Sequence, residues 1–311
     1  MTTALTATTN EISTFNHFNL VEKWLNYAQV SASSVKSYSK GIRRLAEYCK
    51  ANAIQTISRD NLISYREYLR GKYAVATANL YLTATKLFLS FLAVEGYLGN
   101  NPADRVKGLK IVAGHKKDAL SAEMVQAVLK SFDTSTLKGK RDKALFALMT
   151  TAGLRTIEVA RANVGDIIER EGKFFLLVQG KGHNDKDSAV RITEGVHRLI
   201  QKYIAERGEI SENAPLFSSL SRRNFSGRIS TNSISRIVKS ALRRAGYNSR
   251  RLTAHSLRHT AATVALKAGA TLRQVQQVLR HTNIAVTQIY LHELDRLNNN
   301  AECLVAAQFG L

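Results

Sequence analysis

The hydrophobic patterning of this 311-residue chain is interrupted by glycines and a proline at residues 96–102 (GYLGNNP). Glycine and proline end helices and strands, so the interruption predicts a boundary between two domains. We expect a first domain at 15–99, a basic linker at 100–118 and a second domain at 119–311. With 44% hydrophobic residues, each domain has enough apolar side chains for its own core. The Thr- and Asn-rich residues 1–14 are expected to be disordered.

The first domain has apolar residues at the i, i+3, i+4 spacing of amphipathic helices in four successive stretches. These stretches cover residues 18–27, 33–50, 59–70 and 76–95. Short polar turns separate them, so the sequence predicts a small helical bundle.

The second domain combines helical patterns with three short pieces rich in β-branched or aromatic residues. The pieces are Val164–Ile168, Lys173–Gln179 and Ser188–Ile192, and turn residues separate them. We therefore expect a mainly α fold with a small antiparallel β-sheet. The predicted helices cover 121–130, with Ser121 as N-cap, 141–152, 194–206, 231–245, 254–268, 271–280 and 284–292. A weakly amphipathic tail at about 293–311 ends the chain.

The charge is strongly positive, because 45 Lys and Arg oppose 24 Asp and Glu for a formal net charge of +21. Basic side chains that neutralise phosphates release condensed counterions, so such a balance favours a nucleic-acid partner. The excess extends over both predicted domains, which argues against a detached basic tail. A ribosome-associated or merely basic protein remains the alternative from charge alone.

Cys49 and Cys303 are the only cysteines, and neither belongs to a zinc or disulfide pattern. The N-terminus lacks the charged and apolar regions of a signal peptide. We find no apolar run approaching the roughly 18 residues that a membrane span needs. We therefore expect a soluble, cytoplasmic protein without a membrane partner.

Residues 253–269 (TAHSLRHTAATVALKAG) place His255 and Arg258 on one face near the start of a predicted helix. Free N–H groups at a helix start favour anions, so the two side chains could form a phosphate pocket. An exposed pair with no function is the simpler interpretation. His255 and His259 also suggest a metal site, but Ser256 stands where a zinc protease has Glu. A metal ion is therefore not expected.

Three other places carry candidate residues. Arg155 follows an apolar helix and Gly153, and Glu158 is close enough to hold its guanidinium, although an ordinary surface ion pair has the same spacing. Lys181 lies between two glycines in a predicted hairpin, where a lysine is usually only solvated.

The last place is the sequence VLRHTNIAVTQIYLH at 278–292, in which His281 precedes a short helix carrying Tyr290. Taken alone, Tyr290 could be a core aromatic and His281 a helix cap.

The order of these elements is more specific than any one of them. AGLRTIE, HSLRHTAAT and LRHTNIAVTQIYLH, with the hairpin lysine between the first two, resemble the tyrosine recombinase, or phage integrase, family over most of the chain. The resemblance implies a two-domain clamp around duplex DNA, built from a helical core-binding domain and an α+β catalytic domain. The chain is similar in length to Xer recombinases and to compact integrases of mobile elements. One departure is Leu279-Arg280-His281, where the family often has Leu-Gly-His. Arg280 could add a phosphate contact there or only crowd the turn.

The resemblance also implies the catalytic residues. Tyr290 would be the nucleophile, Arg155 and Arg258 would grip the phosphate, and His281 would donate a hydrogen bond to it. Lys181 would protonate the leaving 5′-oxygen, His255 would assist proton transfer at Tyr290, and Glu158 would orient Arg155.

The implied activity is site-specific recombination through a 3′-phosphotyrosine intermediate. Its implied partners are double-stranded DNA with specific recombination sites, three further copies of the chain in a homo-tetramer and, for some members, an accessory protein. No cofactor is expected. The sequence leaves two alternatives open: relaxation of DNA of the type IB topoisomerase kind, and a DNA-binding relative without catalysis. The tail after Tyr290 could pack on a neighbouring protomer or on its own domain.

Overall fold

The computed structural model describes residues 20–110, 118–180 and 185–310, with the side chains of 32–33 and 292–298 left undescribed. Residues 1–14, predicted to be disordered, and Lys181 lie outside the described residues. Contacts divide the chain into two units, residues 1–114 and 115–311.

The first unit contains the four predicted helices. They are α1 (Val21–Tyr27), α2 (Ala32–Ala51), α3 (Arg59–Lys72) and α4 (Val75–Val94). Polar side chains fix two of the helix starts: the Ser31 hydroxyl accepts the Ser34 N–H, and Ser58 and Asn61 form a reciprocal capping box. These caps explain why α2 and α3 begin where they do.

The core of the bundle lies between α4 and the other three helices. Trp24 of α1 is 1% exposed and packs against Tyr38 and Phe88, with ring centroids 5.8 and 5.3 Å away. Leu69 and Ala84 are fully buried in the same cluster. The apolar stripes of the helices therefore meet in one core, as their spacing predicts.

Helix α4 corrects the expectation that no apolar run is long enough to span a membrane. Its 20 residues have a mean hydropathy of 1.3 over an 18-residue window, which meets the length and composition of a span. Half of that window is buried inside the protein, where Tyr81 and Thr85 are among the enclosed side chains. A central bundle helix is apolar on several faces because neighbouring helices surround it.

Residues 101–110 pack on this bundle, although the sequence assigned them to a linker. Ala103 and Val106 are 1% and 2% exposed within the bundle core. The Asn79 amide donates to the Leu109 carbonyl and accepts from the Leu109 N–H, both at 2.8 Å. The first part of the predicted linker is thus held against α4 by buried apolar groups and paired hydrogen bonds.

The second unit contains nine helices among its described residues, and α6 contributes the most side chains to its core. They are α5 (Ala122–Lys130), α6 (Leu137–Ala152), α7 (Thr156–Arg161), α8 (Glu194–Glu206), α9 (Thr231–Arg244), α10 (Ala254–Lys267), α11 (Leu272–Leu279), α12 (Ala285–Asn298) and α13 (Ala301–Gln308). Seven match predicted helices, and α13 falls in the predicted weakly amphipathic tail. α7 was not predicted, because its six residues are too few to show helical periodicity.

Three antiparallel strands form the sheet of the second unit in the order β1-β2-β3. They are β1 (Ile167–Arg170), β2 (Lys173–Val178) and β3 (Ser188–Ile192). The expected mainly α fold with a small antiparallel sheet is confirmed. The strand predicted at Val164–Ile168 is wrong over its first half, because Val164–Asp166 form a 3₁₀ turn in which the Asp166 carboxylate accepts the Asn163 N–H.

Candidate active site

A cavity of about 720 Å³ opens in the second unit. Six of the seven residues predicted from sequence line it: Arg155, Glu158, His255, Arg258, His281 and Tyr290. The seventh, Lys181, is outside the described residues, but Gly180 directly before it lines the same cavity. Residues from the start of α7, the start of α10, the end of α11 and α12 are thus brought to one place.

Arg258 is the most enclosed cation of this cavity, with 2% of its surface exposed. Its Nη1 donates to the Gly153 carbonyl at 2.6 Å and its Nη2 donates to the Leu279 carbonyl. These carbonyls end α6 and α11, where the helix dipoles concentrate negative charge. Burial, and then the nearby Arg155 and Arg280, lower the pKa of Arg258 to about 10, so it stays protonated at neutral pH. The alternative of an exposed His255–Arg258 pair is wrong for Arg258.

Gly153 lets α6 end close to α11. Its backbone is left-handed, with φ of 58°, and a Cβ there would lie 2.7 Å from Cδ2 of Leu279. Glycine adopts this conformation without the penalty other residues meet, and its missing side chain allows the close approach. The carbonyl that holds Arg258 is therefore positioned by a glycine.

Glu158 is buried, although the sequence allowed it to be an ordinary surface ion pair. It is 1% exposed, and its Oε1 accepts from Nη1 of Arg155 at 2.9 Å. Its Oε2 accepts the Arg155 backbone N–H at 2.7 Å. Burial opposes ionisation, but the charge of Arg280, the hydrogen bonds from the Arg155 backbone and side chain, and the charge of Arg155 outweigh it and lower the pKa of Glu158. Arg155 remains about one-third exposed, so its guanidinium faces the cavity.

Arg280 is the partner of Glu158 that the sequence did not reveal. Its Nη2 donates to Oε2 of Glu158 at 2.8 Å, and its Nη1 donates to the Val278 carbonyl at 2.6 Å. The sequence allowed Arg280 a phosphate contact or a place in a crowded turn, but not this pair, because nothing local links it to a carboxylate 122 residues earlier.

His281 follows α11 directly and is oriented by α12. Its Nδ1 lies 2.9 Å from Oγ1 of Thr287, which is fully buried. Burial, and then the charges of Arg258, Arg155 and Arg280, lower the pKa of His281 to about 4. The imidazole is therefore neutral at physiological pH, and it can donate one hydrogen bond into the cavity from Nε2 if Nδ1 accepts from Thr287.

Tyr290 both lines the cavity and packs in a small apolar cluster. It is 4% exposed and lies with Ala262, Val275 and Leu279. Its ring meets that of His259 edge-on at 5.2 Å, and His259 meets His255 edge-on at 4.8 Å. From the sequence, His259 was a candidate only for a metal site. Its i, i+4 spacing from His255 also indicated that the two histidines share a helix face.

The cavity combines positive charge with one phenol. Its lining includes two arginines, Arg155 and Arg258, the neutral imidazole of His281 and the tyrosine Tyr290. Such donors suit a phosphate oxyanion. Across the described residues, no group of three or more His, Cys, Asp or Glu side chains is arranged to hold a metal ion.

Two family models match this chain. That of the Phage integrase family matches residues 118–296, and that of the phage integrase N-terminal SAM-like domain matches residues 21–96. The first therefore contains all the described site residues.

Individual recombinases are similar to this chain in sequence or in fold. The tyrosine recombinase XerD of Listeria monocytogenes is 29% identical over 288 residues, which cover 90% of this chain and 93% of that protein. A tyrosine recombinase of Synechocystis sp. is 32% identical over 231 residues, which cover 74% of this chain and 72% of that protein. The crystal structure of the XerH site-specific recombinase bound to its palindromic difH substrate has the same fold, with a TM-score of 0.73 at 20% identity, covering 92% of this chain and 85% of that one. The chain belongs to the phage integrase family and is a tyrosine recombinase.

Proposed function

We propose that this protein cuts and rejoins duplex DNA at specific sites, with Tyr290 as the nucleophile. The phenolic oxygen of Tyr290 attacks the phosphorus of a phosphodiester, a 3′-phosphotyrosine bond forms, and the bond to the 5′-oxygen breaks. The observation that carries the proposal is that Tyr290 lines one cavity with Arg155 and Arg258. Religation reverses the step when a 5′-hydroxyl attacks the phosphotyrosine.

The two arginines stabilise the transition state. Arg258 is fixed by two backbone carbonyls and Arg155 by Glu158, so both guanidinium groups are oriented before DNA binds. Fixed donors stabilise a developing oxyanion without reorganisation at the moment of reaction. His281, neutral because its pKa is lowered, adds a hydrogen bond to the same oxygens.

Proton transfers complete the reaction. In this proposal Lys181 gives a proton to the 5′-oxygen as it leaves, and His255 assists removal of the proton from Tyr290. His255 lines the cavity, and so does Gly180, the residue that precedes Lys181 in the sequence. Cleavage exchanges one phosphoester for another, so the proposal requires no nucleotide triphosphate, and the cationic side chains neutralise charge without a metal ion or other cofactor.

The net charge of +21 supports DNA as the partner, because a polyanion releases counterions on binding. We propose that the two units clamp one duplex and that four copies act on two sites in the cytoplasm. The DNA-bound structures of XerH and of lambda integrase have the same fold as this chain.

Helix α13 supports assembly between copies, because its residues include no buried side chain. Leu304, Val305 and Phe309 are 61%, 52% and 72% exposed. We propose that this helix packs on a neighbouring protomer on DNA. Deletion of residues 297–311 is expected to abolish multimers on DNA in native gels while leaving single-copy binding. Unchanged assembly would show that the tail packs on its own domain.

Trapping of the covalent intermediate tests the proposed chemistry. A pool of randomised duplexes, each with an internal nick, allows the fragment beyond the cleaved bond to diffuse away and prevents religation. The protein is expected to form an SDS-resistant adduct with a subset of these duplexes, and Tyr290→Phe is expected to form none while still binding the recovered DNA.

Two outcomes oppose the proposal. An absence of any adduct with the unmodified protein would favour a DNA-binding relative without catalysis. Relaxation of supercoiled plasmids that lack the recovered sequence, with no strand exchange between two copies of it, would favour a topoisomerase.

A further inference from the structure

We propose that Arg280 is a positioning residue, which holds the carboxylate of Glu158 so that Glu158 in turn fixes the guanidinium of Arg155 for phosphate binding. This inference rests on the proposed function. It concerns a residue that stands where the family often has glycine, and it assigns Arg280 a part in the reaction without contact to the phosphate.

The backbone at Arg280 adopts a conformation that favours glycine. The His281 N–H donates to the Gln276 carbonyl and the Arg280 N–H to the Gln277 carbonyl, which together form a Schellman motif at the end of α11. The motif requires a left-handed residue, and Arg280 has φ of 55° and ψ of 47°. A residue with a side chain pays about 1 kcal/mol or more for this conformation. An arginine at this position suggests that contacts of its side chain offset the cost of the left-handed backbone.

The side chain makes contacts that glycine cannot make. The Arg280 guanidinium is 14% exposed, its Nη2 pairs with Glu158 at 2.8 Å and its Nη1 binds the Val278 carbonyl at 2.6 Å. Both terminal nitrogens of Arg280 are therefore engaged inside the protein, one of them by the carboxylate that also holds Arg155.

Glu158 depends on this pair because it has no exposed side-chain surface. The charged groups that face it are Arg155 at the start of its own helix, Arg280 at the end of α11 and Arg258 on α10. The charge of Arg280 is the largest single influence that keeps the carboxylate ionised against its burial, ahead of each hydrogen bond from Arg155. Loss of Arg280 leaves burial less opposed, so the pKa of Glu158 rises.

Protonation of Glu158 matters because the carboxylate binds Arg155 through two groups. Oε2 accepts the Arg155 backbone N–H and the Arg280 guanidinium, while Oε1 accepts from the Arg155 guanidinium. A neutral acid holds a cation less strongly than a carboxylate does. The one-third-exposed guanidinium of Arg155 then samples other rotamers, and fewer molecules hold the orientation that stabilises the transition state.

Arg280→Gly separates this role from a structural one. Glycine relieves the left-handed backbone, so a residue that serves only the turn should tolerate the change with unchanged or higher stability. A positioning residue should instead lose activity, and removal of a partner of the buried Glu158 should also lower the free energy of unfolding. Arg280→Gln gives a second variant that keeps side-chain bulk, and Arg273→Gln, at an exposed position of the same helix, controls for the loss of one positive charge.

The probe is the nicked duplex recovered from the randomised pool, at saturating protein. For both Arg280 variants we expect the single-turnover rate of adduct formation to fall by about tenfold or more, while the Kd for DNA changes by less than about threefold. We expect the Arg273 control to stay within about twofold of the unmodified protein in rate. The deficit of the Arg280 variants should deepen as pH falls from 8 to 5.5, because more Glu158 is then protonated.

A double-variant cycle with Glu158→Gln completes the test. If Arg280 acts through Glu158, the rate loss of the double variant will be much smaller than the product of the two single losses. An Arg280→Gly rate equal to that of the unmodified protein, a pH-independent deficit, or multiplicative losses would each overturn the inference. An unmodified protein that forms no adduct would instead count against the proposed function, so the two failures are distinguishable.

Discussion

The bundle of the first unit and the cavity of the second unit differ in whether they bury charged side chains. Among the side chains described between residues 20 and 110, the buried ones with a hydroxyl group are Tyr65, Tyr81 and Thr85, and no charged residue is buried. The described part of the second unit buries five charged residues, of which Glu158 and Arg258 line the cavity.

This difference shows what each region contributes. Burial of a charge costs several kcal/mol unless partners compensate it, so a region that only needs stability avoids it. The core of the bundle therefore gains its stability mainly from apolar contact. Around the cavity, carbonyls at two helix ends and a carboxylate between two arginines compensate the cost and hold the donors in place.

The largest effect is expected from Arg258→Ala. Removal of a fixed donor to the transition state should lower the rate of adduct formation by about a thousandfold. The two carbonyls that lose their donor should also lower the free energy of unfolding by about 1–3 kcal/mol. Single-turnover trapping and denaturant unfolding measure the two effects. Arg258→Lys keeps the charge without the planar fork, and a near-normal rate in that variant would contradict the importance of the fork.

Trp24→Ala tests the apolar side of the comparison. A cavity replaces a side chain that is 1% exposed, so the free energy of unfolding should fall by about 3–5 kcal/mol. Tyr27→Ala on the same helix, where Tyr27 is 58% exposed, should cost about 1 kcal/mol or less. Equal losses in urea unfolding would show that α1 is not packed as described.

Gly153→Ala should cost more than another substitution at a left-handed glycine. Gly172 also has a positive φ, of 67°, but a Cβ there meets nothing within 4 Å, so Gly172→Ala should cost about 1 kcal/mol for strain alone. At Gly153 the contact of the new Cβ with Leu279 should increase this loss of unfolding free energy by about 1 kcal/mol or more. It should also displace the carbonyl that holds Arg258. Thermal unfolding and adduct rates measure how much more Gly153→Ala loses than Gly172→Ala. Equal losses in the two variants would show that α6 and α11 can move apart freely.

His281 should make stability depend on pH. Its pKa is about 4 in the folded protein against an ordinary value of 6.5, so between these values the unfolded state binds more protons. Stability from this group is therefore complete above pH 6.5 and decreases as pH falls toward 4. Unfolding curves over this range should show a weaker decrease in His281→Gln, and an identical decrease would argue against the lowered pKa.

The smallest effect is expected from Lys23→Ala on the bundle surface. Lys23 Nζ lies 2.6 Å from Oε2 of Glu95, but the lysine side chain is 54% exposed. Solvent and side-chain entropy offset most of such a pair. The melting temperature should stay within experimental error, and a clear decrease would mean that surface charge contributes to the bundle more than its apolar core suggests.

Local patterns were sufficient for most of the fold. The helices of the bundle and seven of the nine in the second unit follow from apolar spacing, because a helix that buries one face must repeat its apolar residues every three or four positions. The short α7 and the 3₁₀ turn before β1 escaped this signal, since elements of six and three residues complete too few turns.

The sequence by itself determined the family and six of the residues that line the cavity, through the order in which motifs follow one another along the chain. Only the tertiary structure decided how those residues are held. Arg258 reaches a carbonyl 105 positions away, and Arg280 reaches a carboxylate 122 positions away. Periodicity reports contacts within one helix or strand, whereas these contacts depend on how separate helix ends pack, and that packing exists only once the chain has folded.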